Sequence, residues 1–390
     1  MIEPKLRFKA DDGSQFPDWE EKTIDEVAEC LDNKRVPVNS EERKKRVGII
    51  PYYGAGGIQG YIDDYLFDEE LVLLLEDGDA FDDFQTKSIA QYVTGKSWVN
   101  NHAHVLRANG NSYFLFASLE HKDIRRWTQL AGASRKKLLK DSMLKITVNM
   151  PSFPEQQKIA DFLSTIDTVI EKQKETVSAW EERKKGVMQK LFSREVRFKA
   201  DDGSAFPEWE KKPFGDVVSE YKVKTKVENE DTLLSCAING VFLNSELFGH
   251  QRGQSNIGYL KIKKGTLILS AQNLHLGNAN VNLKFEHGII SPAYKTYDIV
   301  GCSAEYMSQW MKWDMTKHFF YNATTVGASE CRRNVDWNML YSQLFAVPCL
   351  AEQQKIADCL LALDEVIKNQ KATLSAWEEL KKGLLQQMFV

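Results

Sequence analysis

The 390-residue chain lacks the features of membrane-spanning and disulfide-stabilised proteins. Its longest apolar run, Leu71–Leu75, is far shorter than the roughly 18 residues that a transmembrane helix requires. The first residues contain no apolar signal core, so we expect a cytoplasmic protein. The six cysteines are scattered, without a CxxC pair. This spacing favours buried, reduced thiols over a disulfide framework or a zinc site.

Sequence signatures of common enzymes are also missing. Gly54, Gly56 and Gly57 form neither a GxxxxGK[ST] loop nor a strand–GxGxxG–helix unit, so nucleotide binding is not expected. His102 and His104 would share a strand face, but no third ligand has a suitable spacing, which favours hydrogen-bonded histidines over a metal site. We find no Ser/His/Asp or Cys/His constellation and no Asn/Asp-Pro-Pro-aromatic motif of amino-methyltransferases. The residues alone therefore give no positive sign of a nucleotide site, a metal site or a catalytic triad.

Positive charge is not in excess, since the net charge is −4. That value argues against a simple basic DNA-coating protein, but not against a DNA binder whose phosphate contacts come partly from partner subunits. The segment from Asp63 to Asp83 contains ten acidic residues and no Lys or Arg. We expect a solvated acidic face that is turned away from any polyanion, and a catalytic carboxylate pair remains the alternative.

What the chain does contain is an internal repeat. Residues 7–20, RFKADDGSQFPDWE, and residues 197–210 are identical at 12 of 14 positions. Residues 155–192 and 352–389 match at 24 of 38 positions, whereas the segments between the repeats hardly match. Similar frames around dissimilar inserts favour a shared scaffold that presents two recognition surfaces, over a duplication followed by drift.

The two long repeats are predicted to be helices. Their apolar residues recur at steps of three and four, and no proline interrupts either run. A 38-residue helix is a rod of roughly 57 Å, whose apolar stripe must be buried, most simply on the other copy. Gln173 and Gln370 occupy equivalent positions in the stripe. They either fix the register of the pair or lie at the edge of the stripe.

Each long repeat also contains a tryptophan followed by two lysines. We expect Trp180 and Trp377 to pack in a core or an interface, not to form a ligand cage. The pairs Lys184-Lys185 and Lys381-Lys382 are predicted to lie on solvated faces or to contact partners.

The two inserts contain short apolar stretches broken by Gly and Asp, a pattern typical of strands and turns. Helix-like pieces, Ser112–Gln129 and Ser303–Asp314, lie between these stretches. Each insert is therefore predicted to be an α+β domain around a mainly mixed or antiparallel sheet.

This layout resembles the specificity subunit of type I restriction–modification systems. The segments that carry the resemblance are RFKADDGS-x-FP-x-WE, IIPYYGAGGIQGYIDDYLF, WVNNHAHVLRA, LILSAQNLHLGNANV, GASECRRNVDW, MPSFPEQQKIADFL and VPCLAEQQKIADCL. The resemblance implies an α+β fold in which two target-recognition domains are joined by two long antiparallel coiled-coil helices, as a pseudo-two-fold tandem repeat. The implied domains are residues 1–150 and 196–350, and the implied spacer helices are residues 151–195 and 351–390.

The resemblance also implies a function. Each target-recognition domain would read one half of a bipartite, asymmetric site in double-stranded DNA. The helices would set the spacing and dock two methyltransferase (modification) subunits, and restriction/translocase subunits would join them. This chain would be non-catalytic, because its partners would bind S-adenosylmethionine, ATP and Mg²⁺. Two alternatives remain: a coiled-coil protein–protein adaptor that does not bind DNA, and an enzyme that uses the acidic cluster of the first domain.

The candidate DNA-binding residues are those whose donors match base edges and phosphates, together with polar and aromatic residues in predicted loops. A tract of four basic residues within residues 41–46 adds a further basic patch. In the first domain the candidates are Arg135, Lys136 and Lys137, with Tyr52, Tyr53, Asn100, Asn101 and His102 as loop candidates. In the second domain they are Gln251, Arg252, Gln272, Asn273, Arg332 and Arg333.

Overall fold

The computed structural model describes residues 4–131, 135–248, 255–329 and 332–389. The chain forms two compact units: unit 1 consists of Met1–Lys174 and Ala372–Val390, and unit 2 consists of Glu175–Lys371. Each unit thus combines one variable segment with one half of each long helix. The four-segment division derived from the sequence stays a prediction. Within the described residues, no helix has both the length and the apolar character that crossing a bilayer requires.

Unit 1 consists of short strands and short helices before the first long helix. Its strands are β1 Glu20–Thr23, β2 Ala28–Cys30, β3 Ile50–Gly54, β4 Gly57–Ile62, β5 Phe67–Asp68, β6 Leu71–Leu75, β7 Ala90–Val93, β8 Lys96–Val99, β9 Ala103–Ala108, β10 Thr128–Ala131, β11 Arg135–Leu138 and β12 Thr147–Met150. Its helices are α1 Ile24–Val27, α2 Ser40–Lys45, α3 Ser112–Leu119 and α4 Lys140–Met143, followed by the long helix α5 Phe153–Phe192.

Unit 2 also consists of short strands and short helices before the second long helix. Its strands are β13 Glu210–Pro213, β14 Val218–Glu220, β15 Leu234–Ala237, β16 Gly240–Leu243, β17 Leu260–Lys263, β18 Leu267–Ser270, β19 Ala279–Val281, β20 His287–Ile290, β21 Tyr294–Ile299, β22 Thr324–Ser329, β23 Arg332–Val335 and β24 Leu344–Val347. Its helices are α6 Asn244–Phe248, α7 Ala304–Met311, α8 Asp314–Asn322 and α9 Trp337–Ser342, followed by the long helix α10 Leu350–Met388.

The two variable segments share a sheet topology that their sequences do not reveal. The main sheet has the order β2-β9-β6-β7 in unit 1 and β14-β21-β18-β19 in unit 2, and every pair in it is antiparallel. In both sheets the strands, numbered along the chain, therefore lie in the order first, fourth, second, third. The small sheets β1–β12 and β10–β11 likewise correspond to β13–β24 and β22–β23. The inserts are thus variations on one scaffold.

The units differ in their remaining strands. Unit 1 has a second four-stranded sheet, β4-β3-β8-β5, in which β3 and β8 are parallel. Its glycine-rich stretch forms the β3–β4 hairpin, in which Gly54 pairs with Gly57 and Gly57 has a φ of +123°. Unit 2 instead has two separate pairs, β15–β16 and β17–β20. The structures of the two inserts therefore differ most outside the main sheet.

One predicted helical piece is much shorter than expected. Helix α3 ends at Leu119, and Thr128–Ala131 is strand β10, so the prediction of a helix to residue 129 is wrong. The carboxylate of Asp123 accepts a hydrogen bond from the backbone N–H of Arg125 at 3.1 Å. This local bond stabilises a turn in competition with the helix.

The first repeat is tied to the start of α5 by a buried glutamate. Glu155 is fully buried and accepts hydrogen bonds from Nε of Arg7 at 3.1 Å and from its Nη2 at 2.9 Å. The indole Nε1 of Trp19 donates to the same carboxylate at 3.2 Å. A buried carboxylate needs such partners, because burial without them carries a large desolvation cost.

Unit 2 contains the same anchor with equivalent residues. Arg197 donates to Glu352 at 3.0 and 2.9 Å, and Nε1 of Trp209 donates at 3.0 Å. Glu352 is also fully buried. These hydrogen bonds explain why both repeats keep an arginine, a tryptophan and a glutamate at equivalent positions. We call each set the Arg–Trp–Glu anchor of its unit.

The glutamine after each anchor glutamate binds the start of an eight-residue helix in the variable segment, α3 in unit 1 and α7 in unit 2. Oε1 of Gln156 accepts from the backbone N–H of Asn111 at 3.2 Å, and Oε1 of Gln353 accepts from that of Ser303 at 2.7 Å. Asn111 and Ser303 are the N-caps of α3 and α7, and their side chains satisfy a free N–H of the first turn. The repeat thus sets the position of an otherwise dissimilar insert.

Within each unit the two long helices pair antiparallel. Along α5 the residue numbers of the ion pairs rise while those along α10 fall. In unit 1 the pairs are Asp167–Lys381 and Lys174–Glu378, and in unit 2 they are Glu181–Lys371 and Lys184–Asp364. The predicted α+β fold with two long antiparallel helices in a tandem repeat is confirmed. Gln173 and Gln370 are both partly buried.

Lys184, the first lysine of one repeated pair, is buried, and its counterpart Lys381 is half-buried, so the predicted solvated face is wrong for both. The predicted alternative, contact with partners, stays a prediction. Lys184 binds Asp364 at 2.6 Å, but burial outweighs this pairing and lowers the pKa of Lys184. Burial also acts against the charge of Lys381, but Glu120 and Asp167 together outweigh it and raise the pKa of Lys381. The two units therefore use the same ion pair in different electrostatic surroundings.

Removing an anchor carboxylate is expected to destabilise its unit strongly. Glu352→Ala leaves Arg197 and the Trp209 indole without their acceptor, and loss of one partner of a buried ion pair costs about 3–5 kcal/mol. Urea unfolding followed by tryptophan fluorescence measures the change in the free energy of unfolding.

The exposed Glu379 on the same helix provides the matched control. Glu379→Ala should change the free energy of unfolding by less than about 0.5 kcal/mol. Equal unfolding midpoints for the two variants would show that the anchor does not stabilise the fold.

Candidate nucleic-acid interface

The β22–β23 hairpin of unit 2 fixes the side chain of Arg333. Its Nε donates to Oγ1 of Thr324 at 2.7 Å, and its Nη2 donates to the carbonyl oxygen of Thr324 at 2.9 Å. The guanidinium also lies 4.0 Å from the ring centroid of Tyr321, a favourable cation–π arrangement. Arg333 is therefore held along the hairpin. Arg332 and Arg135 begin the equivalent strands β23 and β11.

His275 connects this hairpin with the turn between β18 and β19. It lies in the helical turn Leu274–Leu276, and its Nδ1 is buried without a hydrogen-bond partner in the described part of the chain. Burial and the nearby charge of Arg333 lower the pKa of His275. Gln272 and Asn273, the predicted DNA-binding residues of unit 2, lie in the same β18–β19 connection as His275.

Gln272 and Asn273 lie in this turn and are exposed. They border a polar cleft of about 290 Å³. The other residues that line it are Leu233, Leu234, Ser235, Asn244, Phe248, Tyr259, Ser270, Asn278, Ser291, Ala293 and Tyr294. Within the part of the chain that the structure describes, its lining thus consists of amides, hydroxyls and apolar groups and contains no Lys, Arg, Asp or Glu. The predicted residues Gln251 and Arg252 lie outside the described residues.

In unit 1 the predicted lysines of the β10–β11 hairpin pair with the acidic segment. Lys136 contacts Asp82, and Nζ of Lys137 lies 3.0 Å from Oε1 of Glu76. Glu76 also binds Arg35 at 2.6 Å. Burial acts to raise the pKa of Glu76, but the hydrogen bonds from Arg35 and Lys137 outweigh it, and the pKa is lowered. The prediction of a solvated acidic face is therefore wrong for Glu76, which is half-buried and requires cationic partners, whereas Asp82 is exposed.

The two predicted tyrosines lie on strand β3, not in a loop. Tyr52 is only 1% exposed. Its hydroxyl donates to the carbonyl oxygen of Val38 and accepts from the N–H of Val38, both at 3.1 Å. Tyr52 is therefore a core residue, and its prediction as an exposed loop candidate is wrong. Tyr53 is half-buried, and burial raises its pKa.

The neighbouring candidates of unit 1 have mixed exposure. Asn100 is buried, donates to Oε1 of Gln59 at 3.3 Å and accepts from the N–H of His102 at 2.8 Å. These bonds hold the turn before β9, so Asn100 has a structural role. Asn101 is exposed, and Nδ1 of His102 lies 3.1 Å from Oδ2 of Asp77.

The histidine pair has the expected hydrogen-bonded character. His104 is buried between Oδ2 of Asp32, at 2.6 Å, and the carbonyl oxygen of Leu138, at 2.9 Å. Among the described residues, no group of three or more His, Cys, Asp or Glu side chains is arranged to hold a metal ion. Cys236 and Cys302 are buried free thiols, and burial raises the pKa of each to about 12.

Comparison with known proteins finds similarity to type I specificity subunits. Residues 17–178 match the family model described as the type I restriction modification DNA specificity domain. The chain is 23% identical over 412 aligned positions to a type I restriction enzyme specificity subunit of Methanocaldococcus jannaschii, which covers 97% of this chain and 94% of that protein. Residues 17–178 are therefore similar to the type I DNA specificity domain, and the chain as a whole is similar to a type I specificity subunit.

A second relative is more similar to this chain, but over a shorter stretch. It is a putative type I restriction enzyme specificity subunit of Haemophilus influenzae, 38% identical over 157 residues. That alignment spans 40% of this chain and 38% of the relative. The crystal structure of a specificity subunit from M. genitalium has a TM-score of 0.62 at 14% identity and covers 100% of this chain and 99% of that one. This likeness shows that the specificity-subunit fold extends over the whole chain.

Sequence reasoning missed the contacts that organise the site. Arg7, Trp19 and Glu155 recur as Arg197, Trp209 and Glu352, so the repeat contained a signal for the anchor. The contact of Glu76 with Lys137 had no such signal, because it joins residues 61 positions apart that are not repeated in unit 2.

Removing the charge of Arg333 is expected to raise the pKa of His275. Arg333→Gln deletes the repulsion but leaves the burial, so the pKa of His275 should rise and still stay below its ordinary value. Chemical-shift titration of the protein labelled at histidine measures this change.

A suitable control is Lys224→Gln, which removes an exposed positive charge of unit 2. It should leave the His275 titration unchanged. An unaltered pKa in Arg333→Gln would show that the hairpin and the turn are not electrostatically coupled.

Proposed function

We propose that this chain is the sequence-specific DNA-binding specificity subunit of a type I restriction–modification complex. Unit 1 reads one half of a bipartite, asymmetric site, and unit 2 reads the other half. The observation that carries this proposal is that both units have the same main-sheet order and the same Arg–Trp–Glu anchor, but different second sheets. One scaffold with two different surfaces suits a target whose two halves differ.

Base edges and phosphates are bound by different types of side chain. Amide and guanidinium donors match base edges in the major groove, whereas Lys and Arg neutralise phosphates. In unit 1 the hairpin lysines Lys136 and Lys137 are already paired with carboxylates. Together with the net charge of −4, this pairing leads us to assign much of the phosphate neutralisation to partner subunits.

We propose that the long helices set the distance between the half-sites and dock two methyltransferase subunits, with restriction/translocase subunits in the full complex. Exposed residues that are identical in both helix repeats support this role, because their side chains are open to a partner. These residues are Gln157 and Gln354, Asp161 and Asp358, and Glu182 and Glu379.

We propose that the chemistry belongs to the partner subunits. They would bind S-adenosylmethionine for methylation, and ATP and Mg²⁺ for translocation and cleavage. A methyltransferase that modifies adenine must take the base out of the stack, which requires an accurate position on the duplex. This chain supplies the position by holding both half-sites at fixed places.

The complex with its methyltransferase should produce a split methylation motif. We would co-express the chain with the neighbouring methyltransferase in a host without DNA methylation and map methyladenine by single-molecule sequencing. The expected motif has two unlike halves separated by an unspecified spacer, with one methyladenine in each half.

The methyltransferase expressed without this chain provides the control and should give no motif. If a stable complex formed and still gave no motif, the proposed function would be wrong. A motif confined to one continuous block would contradict the assignment of one half-site to each unit.

A further inference from the structure

We infer that Gln272 and Asn273 are specificity-determining residues of unit 2 and that they bind the major-groove edge of an adenine in its half-site. This inference rests on the proposed DNA-recognition function and names the residues and the base class that serve it.

The two side chains are available for a ligand. Both are exposed, and among the described residues neither side-chain amide has a hydrogen-bond partner. Each amide offers one acceptor oxygen and two N–H donors. Adjacent free amides on one turn are therefore matched to a partner that presents both donors and acceptors.

The turn itself is fixed by its backbone. The N–H of Asn273 donates to Oγ of Ser270 at 3.1 Å, and its carbonyl oxygen accepts from the N–H of Leu276 at 3.1 Å. Gly277 closes the turn with a φ of +86°, a conformation that glycine adopts without steric cost. The amides thus stand on a preorganised support, which lowers the entropic cost of binding.

Comparison of the units singles out this turn. The β18–β19 connection, residues 271–278, occupies the same topological place as the β6–β7 connection, residues 76–89. The connection in unit 1 contains five carboxylates, and two of them pair with the adjacent hairpin lysines. The connection in unit 2 contains no acidic residue, and the charge of Arg333 acts on His275 within it. Unit 2 therefore presents neutral donors where unit 1 presents negative charge.

The adjoining cleft favours a base edge over a phosphate. Among the described residues, no Lys or Arg lines it, and its polar groups include those of Ser235, Asn244 and Asn278. Phosphate contacts are dominated by Lys and Arg, because the charge must be neutralised. The amides of Asn and Gln instead form paired hydrogen bonds with N6 and N7 of adenine. The ligand that fits this turn is thus an adenine of an intact duplex.

The test uses the full complex of the chain with its methyltransferase and DNA. Gln272→Ala and Asn273→Ala remove the amides, and Asn338→Ala removes an exposed amide on α9 that does not line the cleft. Methyladenine mapping should show that each cleft variant accepts other bases at one adenine position of the unit 2 half-site. We expect discrimination at that position to fall by about tenfold or more, with an unchanged unit 1 half-site.

A second pair of variants keeps the shape and changes the chemistry. Asn273→Asp and Gln272→Glu replace an amide donor with an acceptor and should shift the preference from adenine toward cytosine, whose N4 donates. Binding of the purified complexes over a range of salt concentrations should give the same salt slope for wild type and the alanine variants, because no phosphate contact is lost.

The possible results separate the inference from the proposed function. A wild-type motif that stays the same in all four cleft variants would overturn the inference and leave the proposed function intact. A lower salt slope with an unchanged motif would also overturn it, by showing phosphate contacts. No motif for the wild-type complex would reject the proposed function itself.

Discussion

The buried carboxylate at the start of each long helix is the interaction on which the rest of the structure depends. Glu155 and Glu352 are fully buried, and each requires an arginine and a tryptophan from a repeat more than 100 residues away in sequence. Because a lone buried charge is very costly, the helix start and the first repeat must come together. The glutamine that follows each glutamate then binds the N-cap residue of α3 in one insert and of α7 in the other.

This arrangement separates the constant part of each unit from the part that varies. The main sheet keeps its strand order although its sequence has diverged, since the order depends on antiparallel pairing and buried apolar side chains and not on particular residues. The second sheet and the connections beside the hairpin carry the differences, from the carboxylates of unit 1 to the amides of unit 2. A protein built in this way can change what it recognises without changing how it assembles.

The sequence predicted the long helices and the α+β class, because repeats and apolar periodicity are local signals. The antiparallel pairing was implied only by the resemblance to specificity subunits. The sequence did not predict that Tyr52 is buried, because a tyrosine beside a glycine-rich stretch is typical of a loop. The hydrogen bonds between its hydroxyl and the backbone of Val38 are tertiary contacts. The buried state of Lys184 and the pairing of Glu76 with Lys137 depend on residues distant in sequence. Such tertiary contacts have no periodicity, so they decide exposure without leaving a pattern to find.

The central claim is that one scaffold presents two independent readers, and replacing one insert tests it most directly. A chain in which residues 23–150 are exchanged for a second copy of residues 213–349 keeps both Arg–Trp–Glu anchors and both long helices. In complex with the methyltransferase, methyladenine mapping should give a split motif that contains the unit 2 half-site twice and has lost the unit 1 half-site. An unchanged motif, or a new half-site unlike either original, from a correctly assembled complex would contradict the account.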